Sequence, residues 1–398
     1  MLGSWRSDSL GVAQAARPRA PMSPPYGNNP YRAAGVDYEI LDEGKRRALA
    51  EAMRTSPALH GFGGKALDAS RGEPAFVFEV GGLTLGFVLE GLGTKSMIAH
   101  SVHAEMGLNR FDAIAYDTVA AIVNDLICVA ALPMVVNAYF AAGASEWFEN
   151  QERMTALLAG WRRACDDAGC VWGGGESPSL AGLVAADEIE LAGSSVGLID
   201  PARGPIFGAD LDVGDDIVLV ASTGLHANGS SLARKIADAL PDKYATSLAS
   251  GRTFGEALLD PSNIYVPLVR DLLAGDVPVT YLSHVTGHGL LKIMRPAKQL
   301  TYRLTRLPPV PEVLDFMAAE SEMSARIAYS TLNMGAGFAV YCRSGAGQAV
   351  VAHARRLGLS AILAGTVESG PRRVIIEPVD VVFESEQMLL RDAASDAP

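Results

Sequence analysis

The sequence predicts an α/β (α+β) protein of two domains, from its length, its alternating elements and one punctuated stretch near the middle. Its 398 residues exceed what one ordinary hydrophobic core organises. Strand patterns alternate with helix patterns in both halves, which is typical of α/β or α+β layers. Residues 200–215 carry the Pro, Gly and Asp of a domain boundary. The expected parts are a disordered extension (1–30), an N-terminal domain (31–205), a C-terminal domain (206–380) and a tail (381–398).

The N-terminal half is predicted to contain a hairpin and three helices. The β-rich segments 76–80 and 84–89 flank Gly81-Gly82, which is typical of a hairpin turn. Residues 60–65 are too rich in Gly for a helix. Helical patterns cover 42–54, 113–129 and 146–168, and further strands are predicted over 134–140, 169–172 and 189–199.

The C-terminal half continues the alternation. It is predicted to open with a strand at 216–221 and to contain helices at 230–240 and 262–274. Residues 284–294 resemble a Gly-rich turn that opens a helix. The segments 333–341 and 373–377 are predicted to complete the sheet.

The composition argues against several function classes. With a formal net charge of −12 and no basic run, nucleic-acid binding is not expected, because neutralising phosphates requires clustered Lys and Arg. No membrane is expected as a partner, since Asn124, Asp125 and Pro133 interrupt the most apolar stretch, 119–136. The four cysteines form no CxxC pair, which favours buried thiols in a reducing cytoplasm over a catalytic thiol or a metal site.

The first 30 residues have an unusual composition. They contain Arg6, Arg17 and Arg19, several Pro and Ser, and a single acid, Asp8. Three interpretations stay open: a transit peptide, a disordered extension, and a start codon placed too early, since Met22 can open a shorter chain. The last two are preferred, and the segment is left out of the predicted fold.

A candidate phosphate-binding loop, Glu90-Gly-Leu-Gly-Thr-Lys95, follows a predicted strand. Gly91 and Gly93 let the backbone approach a ligand, and Thr94 and Lys95 supply a hydroxyl and a cation for phosphate oxygens. Glu90 is a candidate Mg²⁺ ligand, because this cation prefers carboxylate oxygens together with phosphate. The alternative is a plain strand-to-helix turn, since the spacing is not that of a Walker A loop.

Four further motifs place polar groups at turns or within apolar segments. Asn124-Asp125 interrupts an apolar helix, where a carboxylate is costly unless it is paired within the fold or binds a metal. Gly173-Gly-Gly-Glu176 is either a ligand-binding turn or a plain one. His226-Ala-Asn228-Gly229 leads into a helix and also fits ordinary capping. In His284-Val-Thr-Gly-His288 two imidazoles have metal-pair spacing, but the Thr-Gly between them argues against a continuous helix and against zinc.

The order and spacing of these motifs resemble the aminoimidazole ribonucleotide synthetases, the cyclo-ligases of purine biosynthesis. The resemblance covers about residues 30 to 378. The matching segments are Tyr31-Arg-Ala-Ala-Gly35-Val36-Asp37, His60-Gly-Phe-Gly-Gly, Glu90 to Lys95, Asn124-Asp125 with Ala130-Ala131-Leu132-Pro133, Gly174-Gly175-Glu176, His226-Ala-Asn-Gly229, Leu258-Leu-Asp-Pro-Ser-Asn-Ile-Tyr265, His284-Val-Thr-Gly287, Asn333-Met-Gly-Ala-Gly337 and Gly365 to Ile376.

This resemblance implies a two-domain fold in which the N-terminal domain binds ATP and joins a partner's strands in a dimer β-barrel. The chain is therefore expected to be a homodimer, with ATP in a cleft between subunits and domains. The family transfers the ATP γ-phosphate to an amide-type oxygen of formylglycinamidine ribonucleotide. A nitrogen of the same substrate then attacks the activated carbon, closes the imidazole ring and releases phosphate.

The resemblance also implies roles for particular residues. Mg²⁺ is expected on Glu90, Asp125 and Glu176. The expected nucleotide-binding residues are Gly61, Phe62, Gly63, Gly64, Gly91, Gly93, Thr94, Lys95, Asn124 and Asn228, with the first four closing over the nucleotide as a flexible loop. The expected catalytic residues are Asp125 and either His226 or His284, because imidazole can polarise the substrate oxygen or carry a proton near neutral pH.

Several positions depart from the family pattern. Glu90 replaces the signature Asp, Ala130 a Gly, and Ser177-Pro-Ser-Leu-Ala-Gly182 the family's Thr-Ala-Glu-Met-Pro-Gly. Thr286-Gly-His288-Gly289 replaces Thr-Gly-Gly-Gly, and Ser330-Thr-Leu-Asn333 lacks the anion-binding Arg of Arg-Thr-Phe-Asn. Two alternatives therefore stay open: a divergent ATP-dependent enzyme of the superfamily acting on another amide or phosphorylated substrate, and a catalytically inactive nucleotide-binding paralogue.

Overall fold

The computed structural model describes residues 34–35 and 38–387. The predicted extension at 1–30, most of the 31–37 motif and residues 388–398 of the predicted tail lie outside this part of the chain. Within it, the chain contains two mixed sheets, one in each half, and each sheet has its own helices.

The N-terminal domain is built on a six-stranded sheet, and its hairpin confirms the prediction for 76–89. β2 (Phe76–Val80) and β3 (Leu83–Gly91) pair through Gly81 and Gly82, whose φ angles of 60° and 79° favour glycine. The one parallel pair of this sheet is β4 (Leu132–Ala142) with β5 (Val171–Glu176). The strands lie in the order β1 (Lys65–Ala66), β2 (Phe76–Val80), β3 (Leu83–Gly91), β6 (Ile189–Ile199), β4 (Leu132–Ala142) and β5 (Val171–Glu176).

The helices of this domain are α1 (Tyr38–Arg54), α2 (Lys95–Met106), α3 (Phe111–Leu126) and α4 (Gln151–Ala168). Helices α2, α3 and α4 pack against one face of the sheet, whereas α1 lies beside the C-terminal domain, where Asp42 contacts His288. Trp161 of α4 packs edge-on against Phe140 of β4, with ring centroids 5.0 Å apart. Helix α3 is buried on nearly every side, because it lies between this sheet and the C-terminal domain. Its position explains why an amphipathic stripe is missing from its sequence.

The opposite face of the N-terminal sheet is exposed and apolar. Strand alternation places Phe87 and Leu89 of β3 on this face, with Tyr139 of β4 and Leu198 of β6. Leu89 is 69% exposed. The sheet is open within one chain, with β1 and β5 at its edges. The predicted dimer β-barrel is therefore not a feature of the single chain.

A seven-stranded sheet forms the C-terminal domain. All its strand pairs are antiparallel except the pair of Arg373–Ile376 with Leu300–Leu304. Its order is β13 (Val381–Glu384), β12 (Arg373–Ile376), β9 (Leu300–Leu304), β11 (Ala361–Ser369), β7 (Asp216–Ala221), β10 (Ala336–Cys342) and β8 (Val279–His284). The helices are α5 (Ser230–Ala239), α6 (Phe254–Leu258), α7 (Val266–Ala274), α8 (Glu312–Glu320), α9 (Ala325–Thr331) and α10 (Gly347–Arg356). Among the described helices, none is both long and apolar enough to cross a membrane.

Side-chain hydrogen bonds explain two wrong helix predictions. The helix predicted over 146–168 is divided at Asn150, whose side chain accepts a hydrogen bond from Arg153 N (3.0 Å) and caps α4. The helix predicted over 262–274 begins only at Val266. The backbone before it is held by α3 instead, since Ser262 N and Tyr265 N donate to Asp117 and Asn124.

Other boundaries also differ from the prediction. A 3₁₀ helix occupies Ser56–Phe62, where the glycines indicated no helix, and Gly63 ends it at a φ of 66°. The segment 284–294 contains the end of β8 and a 3₁₀ helix, Gly289–Met294. The tail predicted from residue 381 was wrong for Val381–Glu384, because this segment pairs with β12 as an edge strand.

Candidate active site

A cavity of about 580 Å³ lies between the two domains. Both domains and helix α1 contribute to its wall, which is the usual setting of a small-molecule site. Several segments line it: residues 90–94 at the end of β3 and just after it, Ala121 and Asp125 of α3, residues 227–231 before and at the start of α5, His284, residues 286–288, Lys292 and Arg295, residues 72–74, and Lys45, Arg46 and Leu49 of α1.

Asp125 and His284 form a hydrogen-bonded pair in this cavity. His284 Nδ1 lies 2.6 Å from Asp125 Oδ1, and both side chains are largely buried. Burial alone would raise the pKa of Asp125, but the hydrogen bond from His284 and its charge lower that pKa below the ordinary value. A carboxylate on Nδ1 fixes the orientation of the imidazole and leaves Nε2 for a ligand. The structure thus brings together two of the three residues predicted to be catalytic.

Glu90 lies beside this pair, and its pKa is shifted in the direction opposite to that of Asp125. Burial, and next the charge of Asp125, raise the pKa of Glu90 to about 8. Two carboxylates forced together in this way are suited to a shared cation. Mg²⁺ usually takes one or two carboxylates and completes its shell with water and phosphate oxygens. Glu90 and Asp125 therefore fit Mg²⁺, although the described residues contain no group of three or more metal-ligating side chains.

We expect the Glu90 carboxyl to make stability depend on pH when divalent cations are absent. Between pH 4.5 and about 8 the folded protein keeps a proton on Glu90 that the unfolded chain has lost. The free energy of unfolding should therefore fall as the pH rises through this window. Urea unfolding with a chelator should show this slope in the wild type and a flatter one in Glu90→Gln, and Mg²⁺ should offset it. Equal slopes in both proteins would contradict the assignment.

The start of α5 presents hydrogen-bond donors to the cavity. No side chain caps this helix, so its first N–H groups are available to an anion. Gly229 has a φ of 104°, and a Cβ there would come within 2.8 Å of Leu225 and Leu332, so only glycine suits this turn. Thr94 Oγ1 lies 3.0 Å from Ser231 Oγ. Thr94 and Asn228, both predicted to bind nucleotide, thus line the same cavity, as do Gly91 and Gly93.

Lys95 does not reach this cavity. Its ammonium is fully buried and pairs with Asp117 Oδ2 (2.5 Å) and the carbonyl of His226 (2.7 Å). The other carboxylate oxygen of Asp117 accepts from Ser262 N (2.7 Å). In one chain, the predicted phosphate contact of Lys95 is therefore replaced by a link between α3 and two turns of the C-terminal domain.

Asn124 and His226 are also occupied within the fold. Asn124 accepts a hydrogen bond from Tyr265 N (2.9 Å) and donates one to Asn263 O (2.8 Å). His226 is buried outside the cavity lining, and its Nε2 accepts from Thr223 N (3.2 Å). Burial first, and then the charges of His284 and Lys95, hold the pKa of His226 well below its ordinary value. A neutral, enclosed imidazole is poorly suited to proton transfer with a ligand in the cavity.

The remaining predicted residues lie away from the cavity. Gly63 and Gly64 border a separate depression beside the β2–β3 hairpin, and the neighbouring Phe62 is 77% exposed. Glu176 is exposed at the end of β5, where its Oε1 accepts a hydrogen bond from Ser177 N (3.1 Å). One chain alone therefore does not bring Glu176 or the Gly61–Gly64 loop to Asp125.

Sequence reasoning missed the cations and the second histidine pair of the cavity. Lys292 and Arg295, which are three residues apart, follow the Gly-rich turn. The segment was interpreted only as the beginning of a helix, so these two cations were not predicted to be site residues. His288 Nε2 lies 3.1 Å from Asp42 Oδ2, so this residue docks α1 against the C-terminal domain. The two histidines of the 284–288 motif thus contact different carboxylates, because His288 adopts a left-handed conformation with a φ of 71°.

Solved structures of low sequence identity share this fold. A hydrogenase maturation protein, HypE of E. coli, matches with a TM-score of 0.51 and 17% identity, over 75% of this chain and 84% of that one. AaThiL, solved in complex with AMPPCP and TMP, matches with a TM-score of 0.52 and 14% identity, over 78% and 89% of the two chains. These similarities establish the two-domain mixed α/β fold.

Curated relatives are considerably closer in sequence. The phosphoribosylformylglycinamidine cyclo-ligase of Anaeromyxobacter sp. (strain Fw109-5) is 36% identical over 366 residues, which is 88% of this chain and 98% of the relative. That of Carboxydothermus hydrogenoformans is 32% identical over 358 residues, 87% and 98% of the two chains. Residues 72–199 match the N-terminal domain of AIR synthase related proteins, and 212–377 match their C-terminal domain. The chain therefore belongs to the AIR synthase related protein family.

Proposed function

We propose that this protein is an ATP-dependent cyclo-ligase that converts formylglycinamidine ribonucleotide into aminoimidazole ribonucleotide in purine biosynthesis. The observation that carries the proposal is the Asp125–His284 pair beside Glu90, at the wall of an interdomain cavity. These residues lie at motif positions of a family whose relatives with this activity match nearly the whole chain. The free thiols of the four cysteines are compatible with a cytoplasmic enzyme.

The reaction requires charge neutralisation and positioning more than covalent work by the protein. Glu90 and Asp125 would hold Mg²⁺, which supplies positive charge to the triphosphate when bound. Thr94, Asn228 and the free N–H groups of α5 bind phosphate oxygens. His284, oriented by Asp125, donates from Nε2 to the amide-type oxygen of the substrate or carries a proton there. Of the two candidate histidines, His284 is the better supported because it alone lines the cavity.

We propose that the exposed face of the N-terminal sheet forms a homodimer with a second copy of this chain. Its apolar side chains, among them Phe87, Leu89 and Tyr139, are typical of a surface that a partner covers. Glu176 and the Gly61–Gly64 loop lie at the two edges of the same sheet, on β5 and before β1. In a dimer β-barrel these edges meet the partner subunit, which gives the two segments a route to the nucleotide.

We expect Leu89→Glu to prevent this association, because dimerisation would then bury a carboxylate in an apolar interface without a partner. Sedimentation velocity of the full chain should show a dimer for the wild type and a monomer for the variant. Leu183→Glu is the matched control, since Leu183 is 80% exposed in a turn outside the sheet. A wild-type monomer, or a Leu89→Glu dimer, would exclude this interface.

The test of the function is phosphate release from Mg-ATP by the full chain, with and without formylglycinamidine ribonucleotide. Release that depends on this substrate, with formation of the imidazole product, supports the cyclo-ligase. ATP turnover that ignores it would favour a divergent enzyme with another substrate. ATP binding with no release under any condition would favour an inactive nucleotide-binding paralogue.

A further inference from the structure

Lys292 is a buried side chain whose ammonium group has no hydrogen-bonded partner among the residues that the structure describes. It lies on the Gly289–Met294 3₁₀ helix, is only 8% exposed and lines the interdomain cavity. Within the described residues its ammonium donates no hydrogen bond and forms no close ion pair. Ammonium groups in such places are expected either to be paired or to lose their proton.

The nearby carboxylates do not fully stabilise the positive charge of Lys292. Burial, and next the charge of Arg295, lower the pKa of Lys292 to about 7, and the opposing effects of Asp125 and Glu90 do not cancel this. A Gln or Met at this position would fill the space without the cost of a buried charge. A buried lysine at a cavity wall, without a hydrogen-bonded partner, is suited to binding the negatively charged group of a ligand.

Arg295 presents a second cation at the same wall. Its Nε donates to Gly72 O (3.0 Å) and lies 3.8 Å from Glu73 Oε2, which accepts from the hydroxyl of Tyr281 (2.8 Å). These contacts fix the guanidinium from one side. Its terminal nitrogens form no hydrogen bond with the residues that the structure describes, and this leaves them for a planar or tetrahedral anion.

Lys45 adds a third cation from α1. Its side chain is 59% exposed and only 3.9 Å from Asp42, a weak pairing. Asp42 is held mainly by His288, which docks α1 at the cavity. Lys45, Lys292 and Arg295 thus line the same cavity from two separate segments, and the charges of Arg295 and Lys45 both act on Lys292. The Ser330-Thr-Leu-Asn333 segment, which lacks the Arg of the family pattern, does not line it.

We propose that Lys292, Arg295 and Lys45 form a binding site for a phosphate group, and that the substrate supplies this group as its phosphate ester. The proposal rests on the proposed function, in which the substrate is a ribonucleotide. A phosphate monoester has the charge and the three acceptor oxygens that an ammonium and a guanidinium fork can share.

The test is calorimetric titration of the full chain with ribose 5-phosphate, ribose, ADP and AMPPCP. We expect Lys292→Gln to weaken ribose 5-phosphate binding by about 10- to 100-fold, as is typical for the loss of a charged hydrogen bond. Lys292→Arg should retain most of the affinity. The control Lys235→Gln should bind like the wild type, because Lys235 is exposed on α5 outside the cavity. Ribose should bind weakly to all four proteins.

Two other outcomes have definite meanings. Unchanged ribose 5-phosphate binding, with weaker binding of AMPPCP but not of ADP to Lys292→Gln, would show that the terminal phosphate of the nucleotide occupies the site. The proposal would be overturned if wild type and Lys292→Gln bound the phosphate-containing ligands equally, whether both proteins bind them or neither does. Lys292-dependent binding in a protein that fails to turn over formylglycinamidine ribonucleotide would keep the site and reject the cyclo-ligase.

Discussion

Asp125→Asn should lower kcat/KM with Mg-ATP by about 10³-fold, with most of the loss in kcat. The carboxylate has two tasks that the isosteric amide cannot perform. In the proposed mechanism it would hold Mg²⁺ together with Glu90, and its hydrogen bond with Nδ1 (2.6 Å) orients His284. The measurement is steady-state phosphate release with saturating formylglycinamidine ribonucleotide and varied Mg-ATP, repeated at several concentrations of free Mg²⁺.

Asp112→Asn is the matched control for this substitution. Asp112 lies in the first turn of the same helix and contacts Arg163 at 3.3 Å near the surface, away from the cavity. Its variant should retain wild-type activity and wild-type response to Mg²⁺. If Asp125→Asn keeps more than about a tenth of the wild-type kcat/KM, neither task assigned to this carboxylate is correct.

Lys95→Met should destabilise the protein by about 3–5 kcal/mol, because it leaves Asp117 as a buried charge without its partner. Both side chains are fully buried, and Lys95 Nζ lies 2.5 Å from Asp117 Oδ2. Asp117 also accepts a hydrogen bond from the backbone N–H of Ser262. The substitution also frees the carbonyl of His226 and with it the turn that carries Asn228. Urea unfolding followed by tryptophan fluorescence measures the loss, and nucleotide affinity should fall with it.

A double substitution separates a buried ion pair from a phosphate contact. Lys95→Met combined with Asp117→Leu removes both charges, and it should recover much of the stability lost in the single variant. A lysine that contacts phosphate would behave differently. Lys95→Met would then keep its unfolding midpoint without ligand and lose only nucleotide affinity, and that result would restore the role expected from the sequence.

Elements with a strong local signal were predictable from the sequence. The strands at 189–199 and 216–221 have the predicted bounds, because their β-branched and apolar residues end at clear turn signals. Where the prediction was wrong, a distant part of the chain decided the outcome. Residues 262–265 stay out of a helix because side chains of α3 hold their backbone, and no local pattern contains that information.

The candidate site was predicted in part, for a similar reason. Motif spacing identified Asp125, His284, Glu90 and Thr94, which the fold brings to one cavity. It could not show that Lys95 points into the core toward Asp117 rather than toward a ligand, since both orientations begin from the same Gly-Thr-Lys turn. It also did not identify Lys292 as a site residue, because only the three-dimensional structure shows that this lysine is buried at the cavity wall.

The most direct test of the proposed chemistry follows the oxygen of the reacting amide. Formylglycinamidine ribonucleotide labelled with ¹⁸O at this position should be turned over by the full chain with Mg-ATP, and the inorganic phosphate analysed by mass spectrometry. Transfer of the γ-phosphate to the amide oxygen predicts one ¹⁸O in each phosphate released, in equal amount to the imidazole product. Unlabelled phosphate, or release without the imidazole product, would contradict the cyclo-ligase assignment.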